Sequence, residues 1–323
     1  MGRFTVNDLQ VHCTRASYAF MPTILRAIAS LAVLLFSSLG FTQTLSLTFD
    51  DGLNPDKQVK AQVWNQQIIS SLKDSGITAM VLPSLIRIGG DRGMGLIMDW
   101  AKAGHAVGNH TATHRSLAST ETTLNEFIAD VKKADAALRH IPTWVPMLRF
   151  PYLKEGDTVE KRDGIRSWMT SNGYRPAPVS IDASDWYYNQ IYSSLLRAGS
   201  HDKAVRVKLA YIEHLLDRAT YYEGLARQVL GRSPAHVMLL HTNEINAATL
   251  PDIVSAFRRQ GWTFVPATTA FKDPVYSSQP DTLPAGESVV WASAKARGIS
   301  GLRYPAEDSV YEEPKLRLES LIP

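Results

Sequence analysis

Cysteine is nearly absent from this 323-residue chain, whose only thiol is Cys13. One thiol makes neither an internal disulfide nor a cysteine-based zinc site. Cys13 also lies in a stretch expected to be removed, which excludes a thiolate nucleophile. A charge excess is missing too: of the formal net charge of +3, residues 1–43 contribute +2, with Arg3, Arg15 and Arg26 against Asp8, leaving +1 for the rest. So balanced a chain offers no electrostatic basis for binding nucleic acid. Internal repeats and low-complexity blocks are absent. The apolar run from Ala27 to Phe41 follows Arg26 and is too short to cross a bilayer comfortably, so it reads as a secretory signal, a buried core helix being the alternative. Translation is expected to start at Met21 and cleavage to follow Gly40 or Thr42. The product is expected to be exported, periplasmic or secreted, with no stable membrane span after cleavage.

What is present is a core-forming composition, 45% hydrophobic, enough for one large α/β domain with extensions. Short β-rich runs alternate with helical stretches, the pattern of βα units around a parallel sheet. The runs predict seven strands, at Leu45–Phe49, Thr78–Leu82, Ala106–Gly108, Met147–Phe150, Arg175–Ile181, His236–Leu240 and Thr263–Val265. Helical periodicity covers Lys57–Lys73, Gly93–Ala103, Thr122–His140, Asp157–Asn172 and Leu250–Gln260, and Gly76, Gly104, Gly173 and Gly261 follow as stop signals. Tyr188–Arg232 reads as a long helical insertion. After Lys272, Pro274, Pro280, Pro284, Pro305 and Pro314 punctuate a polar tail without clear period, and Phe271 at its start with Val289, Val290, Trp291 and Tyr304 within it suggest that it wraps over the domain. The expected division is an N-terminal extension and signal at 1–43, a main βα domain at 44–271 with the insertion at 188–232, and a C-terminal extension at 272–323.

Chemistry-bearing residues sit where these strands end. Asp50 and Asp51 close the first strand, and because neighbouring strand residues face opposite sides, Gly52 must supply the turn that brings both to one site. Alone, Asp-Asp-Gly is more often a solvated turn. His110 and His114, after the third strand, have the i, i+4 spacing of two imidazoles on one side of a helical turn; with Asp51 they would form a cation site of two histidines and a carboxylate with open positions. Arg149-Phe-Pro-Tyr152 follows the fourth strand, Asp182-Ala-Ser-Asp-Trp186 the fifth, and His241 ends the sixth. Singly these read as a surface arginine, a loop anchor and a semi-buried histidine. In a βα barrel they share the face where active sites assemble.

In order, Thr48-Phe-Asp-Asp-Gly52, His110-Thr-Ala-Thr-His114, Arg149-Phe-Pro-Tyr152, Asp182-Ala-Ser-Asp-Trp186 and Leu239-Leu-His241 resemble the five motifs of the polysaccharide deacetylase family, carbohydrate esterase family four with its NodB-like homology domain. The resemblance covers about Leu45 to Val265. It implies a distorted (β/α)7 barrel holding a divalent metal ion, usually zinc, that removes acetyl groups from N- or O-acetylated saccharides. By the resemblance, Asp50 is the general base, and Asp51, His110 and His114 hold the metal. Arg149 orients Asp50, Asp185 pairs with His241 as general acid, and the backbone N–H of Tyr152 meets the oxyanion. Trp186 forms a groove wall, and Leu239 and Leu240 line the acetyl pocket. Leu153-Lys-Glu-Gly156 replaces the small residue that often follows this tyrosine, and the insertion and tail fall outside the motifs. The alternatives are a metal-dependent amidohydrolase for a small non-sugar amide and a non-catalytic carbohydrate-binding protein.

Overall fold

The computed structural model describes residues 43–304 and 308–323; the signal segment, with Met21 and the cleavage sites after Gly40 or Thr42, lies outside them. Nine strands are assigned among these residues: β1 Thr44–Asp51, β2 Met80–Pro83, β3 Ala106–Asn109, β4 Trp144–Leu148, β5 Lys154–Gly156, β6 Arg175–Pro176, β7 Ala235–His241, β8 Thr263–Phe264 and β9 Ala285–Gly286. The helices that surround the site are α1 Ala61–Asp74, α2 Asp91–Lys102, α3 Leu124–Leu138, α4 Val159–Ser171, α5 Asp185–Arg197, α6 His201–Leu230 and α7 Glu244–Arg259.

The main sheet runs β6-β4-β3-β2-β1-β7, every neighbouring pair parallel, with β8 beside the start of β1. Parallel neighbours need crossovers, and the helices between strands supply them. The sheet curls until its edges meet: Ile181, beyond β6, bridges Met238 of β7, and Leu239 N donates to Ile181 O at 3.1 Å. This is an α/β fold, a distorted (β/α)7 barrel. Leu45, Leu47 and Phe49 alternate along β1 with Ser46, Thr48 and Asp50, and all six are buried, as a parallel strand covered on both faces requires. Phe49 meets Trp100 of α2 with ring centroids 5.3 Å apart, an outward layer, so its alternates face the barrel interior. Burying such a ring contributes about 1.5–3 kcal/mol.

Several boundaries differ from expectation for local reasons. The fifth strand shrinks from Arg175–Ile181 to Arg175–Pro176, because Pro176 and Pro178 have no N–H for a ladder. The fourth ends at Leu148, leaving Arg149 free of the pleat. α7 starts at Glu244 and not Leu250, since the Asn243 side chain accepts from Asn246 N and caps it, and Pro251 lies inside the helix. Thr123 and Glu126 form a capping box that sets the start of α3. The insertion is two helices, α5 and α6, turning at Gly199, whose φ is +70°, and the first begins at Asp185 itself.

The tail is more ordered than its sequence suggested. β9 pairs antiparallel with β5, and a helix at Val289–Ala296 is capped by Ser288. Ser288 Oγ also donates to Ser180 O at 2.8 Å, and Val289 N to Val179 O at 2.8 Å, where β6 stopped short. No helix among the described residues is long and apolar enough to cross a membrane.

Candidate active site

Asp50 and His241 are register partners on the adjacent strands β1 and β7, so the sheet itself sets a carboxylate and an imidazole side by side. The next residue, Asp51, has φ +77° and Gly52 φ +83°, while Gly52 N donates back to Asp50 O at 3.1 Å. That i to i+2 bond is a γ-turn, a strained conformation for a non-glycine residue. It brings to one site two carboxylates that a continuing strand would send to opposite faces. A Cβ on Gly52 would stand 2.3 Å from Ile88 Cγ2, so glycine is also the residue that fits.

Arg149 is buried against Asp50. Its Nη1 donates to both Asp50 oxygens at 3.2 Å, its Nη2 to Thr48 Oγ1 at 3.1 Å, and its Nε to Ala177 O. Burial pushes the Asp50 carboxyl up to about 6 against the pull of Arg149; burial likewise lowers the arginine from its ordinary value, opposed by Asp50.

His110 Nδ1 donates to Arg149 O at 2.8 Å, which leaves its Nε2 as a lone pair facing Asp51. Asp51 Oδ1 lies 3.8 Å from His110 Nε2 and 3.3 Å from His114 Nε2. The expectation of a helical turn is corrected here: Thr111 (φ +67°) and His114 (φ +56°) are left-handed. Thr111 N donates to the Asn109 side chain at 2.8 Å, and Thr111 Oγ1 accepts from His114 N at 3.0 Å. This loop still brings the two rings to 4.8 Å, edge to face. Burial lowers both imidazoles to about 4, so both are neutral at pH 7, as metal ligands must be.

The donor set fits a divalent cation. Asp51 Oδ1 is buried without a hydrogen-bond partner, and one atom from each of Asp51, His110 and His114 lies within 4.8 Å of the others. Ligands at tetrahedral angles around zinc stand about 3.3 Å apart, near the distances here.

Asp185, at the first turn of α5, accepts from His241 Nδ1 and His241 N at 2.6 Å each, Asn246 Nδ2 at 2.7 Å and Asn243 Nδ2 at 3.0 Å. Burial opposes a charge on His241, but Asp185 outweighs it and raises the imidazole to about 10. The structure thus gathers Asp50, Asp51, His110, His114 and Arg149 in one cluster, with the Asp185–His241 pair across the β1–β7 boundary. Tyr152 has φ +58°, is 60% exposed, and packs edge-on to His114 at 4.8 Å. Trp186 is 40% exposed beside Asp185. Leu239 pairs with Thr48 and Leu240 with Phe49, so by alternation Leu239 shares the inner face with His241, and Leu240 does not.

Sequence reasoning missed Asn243 and Asn246, which support Asp185, and Arg87, whose Nε lies 3.7 Å from Asp51. An Asn-x-x-Asn spacing directly after His241 was the available signal.

A family model described as polysaccharide deacetylase matches residues 41–168. The chain is 27% identical over 143 residues to a peptidoglycan-N-acetylglucosamine deacetylase of Bacillus cereus, covering 44% of this chain and 46% of that relative; the matched stretch is thus about half the relative's length. Among solved structures, it is similar to a peptidoglycan deacetylase from Bacillus subtilis (20% identity, 72% of this chain and 91% of that one, TM-score 0.47). A family 4 carbohydrate esterase from Streptomyces lividans gives 18% identity, 71% and 95% coverage and TM-score 0.47. The matched region carries Asp50, Asp51, His110, His114 and Arg149 at or just beyond the ends of β1, β3 and β4, and over this region the chain is similar to the polysaccharide deacetylase family.

Proposed function

We propose that this protein is an exported, metal-dependent deacetylase that hydrolyses the acetamide of N-acetylglucosamine-containing or otherwise acetylated glycans. The observation that carries this reading is the division of two adjacent carboxylates, Asp51 facing two neutral imidazoles and Asp50 bound to Arg149. Asp51, His110 and His114 would hold the ion, most simply zinc. When bound, the ion supplies a Lewis acid that polarises the acetyl carbonyl and makes water a stronger acid.

The remaining roles belong to the chain's own groups. Asp50 takes the proton of the attacking water, and Arg149 favours its anionic form. The backbone N–H of Tyr152 donates to the oxyanion that develops on the carbonyl oxygen. His241, held protonated by Asp185, gives its proton to the departing amine. Leu239 borders the acetyl methyl, and Trp186 and Tyr152, exposed aromatic faces at the rim, supply the apolar surfaces on which a sugar ring stacks. The catalytic unit is residues 44–271, delivered by the Ala27–Phe41 signal.

The test is acetate release by zinc-supplied protein from chitooligosaccharides, peptidoglycan fragments, acetylated xylan and small cyclic amides, with and without chelator. Chelator-sensitive release from a glycan supports the proposal. Release from the small amides alone, or unaffected by complete metal removal, refutes it.

A further inference from the structure

Behind the Asp185–His241 pair lies a polar face of α6 that no catalytic step uses. Tyr211, His214 and Arg218 follow each other at helical spacing and are all buried. Each turns toward the segment that carries the pair. Tyr211 OH donates to Asn246 Oδ1 at 2.6 Å, and Asn246 in turn donates to Asp185. Arg218 Nε donates to Asp182 O at 3.1 Å. Ser184 N, the amide just before Asp185, donates to His214 Nε2 at 2.9 Å.

The last of these fixes the state of His214. A ring nitrogen that accepts carries no proton, so the proton of the neutral imidazole is on Nδ1. There Glu312, from the C-terminal segment, places Oε1 3.0 Å away, off the line of a good hydrogen bond. Glu312 is itself anchored by Tyr188 OH at 2.6 Å and Arg303 Nη2 at 3.3 Å.

Ser184 is the N-cap of α5, and its own side chain makes no capping bond. The start of the helix, and with it the direction of Asp185, therefore depends on what holds the Ser184 backbone. We infer that His214 is a positioning residue for the Asp185–His241 pair, acting through the Ser184 amide, with Glu312 setting the orientation of its ring. The helical insertion and the C-terminal segment, both outside the family motifs, thereby become parts of the apparatus that aims the proton donor. The inference rests on the proposed role of His241, but its structural half stands independently of activity.

The test reads the imidazole Nδ1–H proton that His241 shares with Asp185, by proton NMR of the full-length, zinc-supplied protein. The resonance is assigned by its loss in Asp185→Asn. In His214→Phe, which leaves the Ser184 amide without an acceptor, it is expected to move upfield or broaden by exchange with water. In His214→Gln, whose amide oxygen can accept in place of Nε2, it is expected to persist. Where acetate is released, kcat of His214→Phe falls about 10- to 100-fold, with KM and zinc content unchanged and recovery in His214→Gln. His214→Leu serves as the acceptor-less variant should the phenylalanine not fold. An unaltered resonance in the folded acceptor-less variant overturns the inference. Because the resonance is read without substrate, a failure to deacetylate glycans would refute the proposed function and still leave this question decided.

Discussion

Arg149 donates to both carboxylate oxygens of Asp50 at 3.2 Å while the two side chains are almost wholly excluded from solvent. Removing one member of such a pair leaves the other as an uncompensated buried charge, which costs about 3–5 kcal/mol. Arg149→Met is therefore expected to lower the unfolding free energy by roughly that amount, and to abolish acetate release, with denaturant titration as the check. An unchanged midpoint would show that the pair contributes nothing net.

Asp50→Asn separates proton transfer from metal binding. The substitution keeps the shape and an acceptor for Arg149 but removes the base, so kcat should fall by about 10²- to 10⁴-fold with zinc content intact. His114→Ala should lose both. Elemental analysis beside acetate release distinguishes them, and wild-type turnover in Asp50→Asn would eliminate it as the base.

The pairing with Asp185 sets the alkaline limit. A general acid must hold its proton, and Asp185 raises His241 from 6.5 to about 10. Activity is thus expected to persist through neutral pH and to fall as pH rises through about 10. In Asp185→Asn the fall should move toward 6.5, the ordinary histidine value. A pH–rate profile of both proteins is the measurement.

Acid stability should be governed by two carboxylates far from the metal ligands. Burial acts to raise Glu223, but bonds from His236 and Ser233 outweigh it, and it is held at about 2 against an ordinary 4.5. Glu312 is also held at about 2, burial opposing and the adjacent His214 ring and the Tyr188 hydroxyl prevailing. A depressed carboxyl adds stability above its unfolded value and loses it as pH falls toward the folded one. The metal-free protein should therefore lose stability from about pH 4.5 downward to about 2, and Glu223→Gln with Glu312→Gln should flatten that stretch of a Tm-against-pH curve.

Gly52→Ala would place a methyl 2.3 Å from Ile88 Cγ2 at φ +83°. Left-handed strain alone costs about 1–3 kcal/mol. The variant should melt lower and bind zinc more weakly, because relieving the clash moves Asp51. Calorimetric zinc titration checks this.

The strand ends were legible because apolar runs announce strands, and Asp50, Arg149 and His241 each follow one directly. Arg175–Ile181 was overcalled because its apolar residues suggested pairing that Pro176 and Pro178 forbid. The approach of His110 and His114 was legible, but its means was not: Asn109 and Thr111 side chains create the loop, and the i, i+4 spacing imitates a helix. Asn243 and Asn246 stayed hidden because their acceptor, Asp185, is remote in the chain and arrives only when the barrel closes. The tail helix at Val289–Ala296 was missed because it is buried nearly all round, which erases the one-sided periodicity that marks a surface helix.

The register pairing of Asp50 with His241 has a consequence for how this architecture diversifies. Their separation is a lattice spacing of the sheet, common to any two residues opposed on adjacent strands, and no connecting segment enters into it. Loops, insertions and tails can lengthen or change composition without altering the backbone spacing of Asp50 and His241, although the insertion and tail bear on where the His241 side chain points. Under the proposed function, the spacing of proton acceptor and proton donor is thus written in two strands, and the aim of the donor and the choice of substrate in the connections.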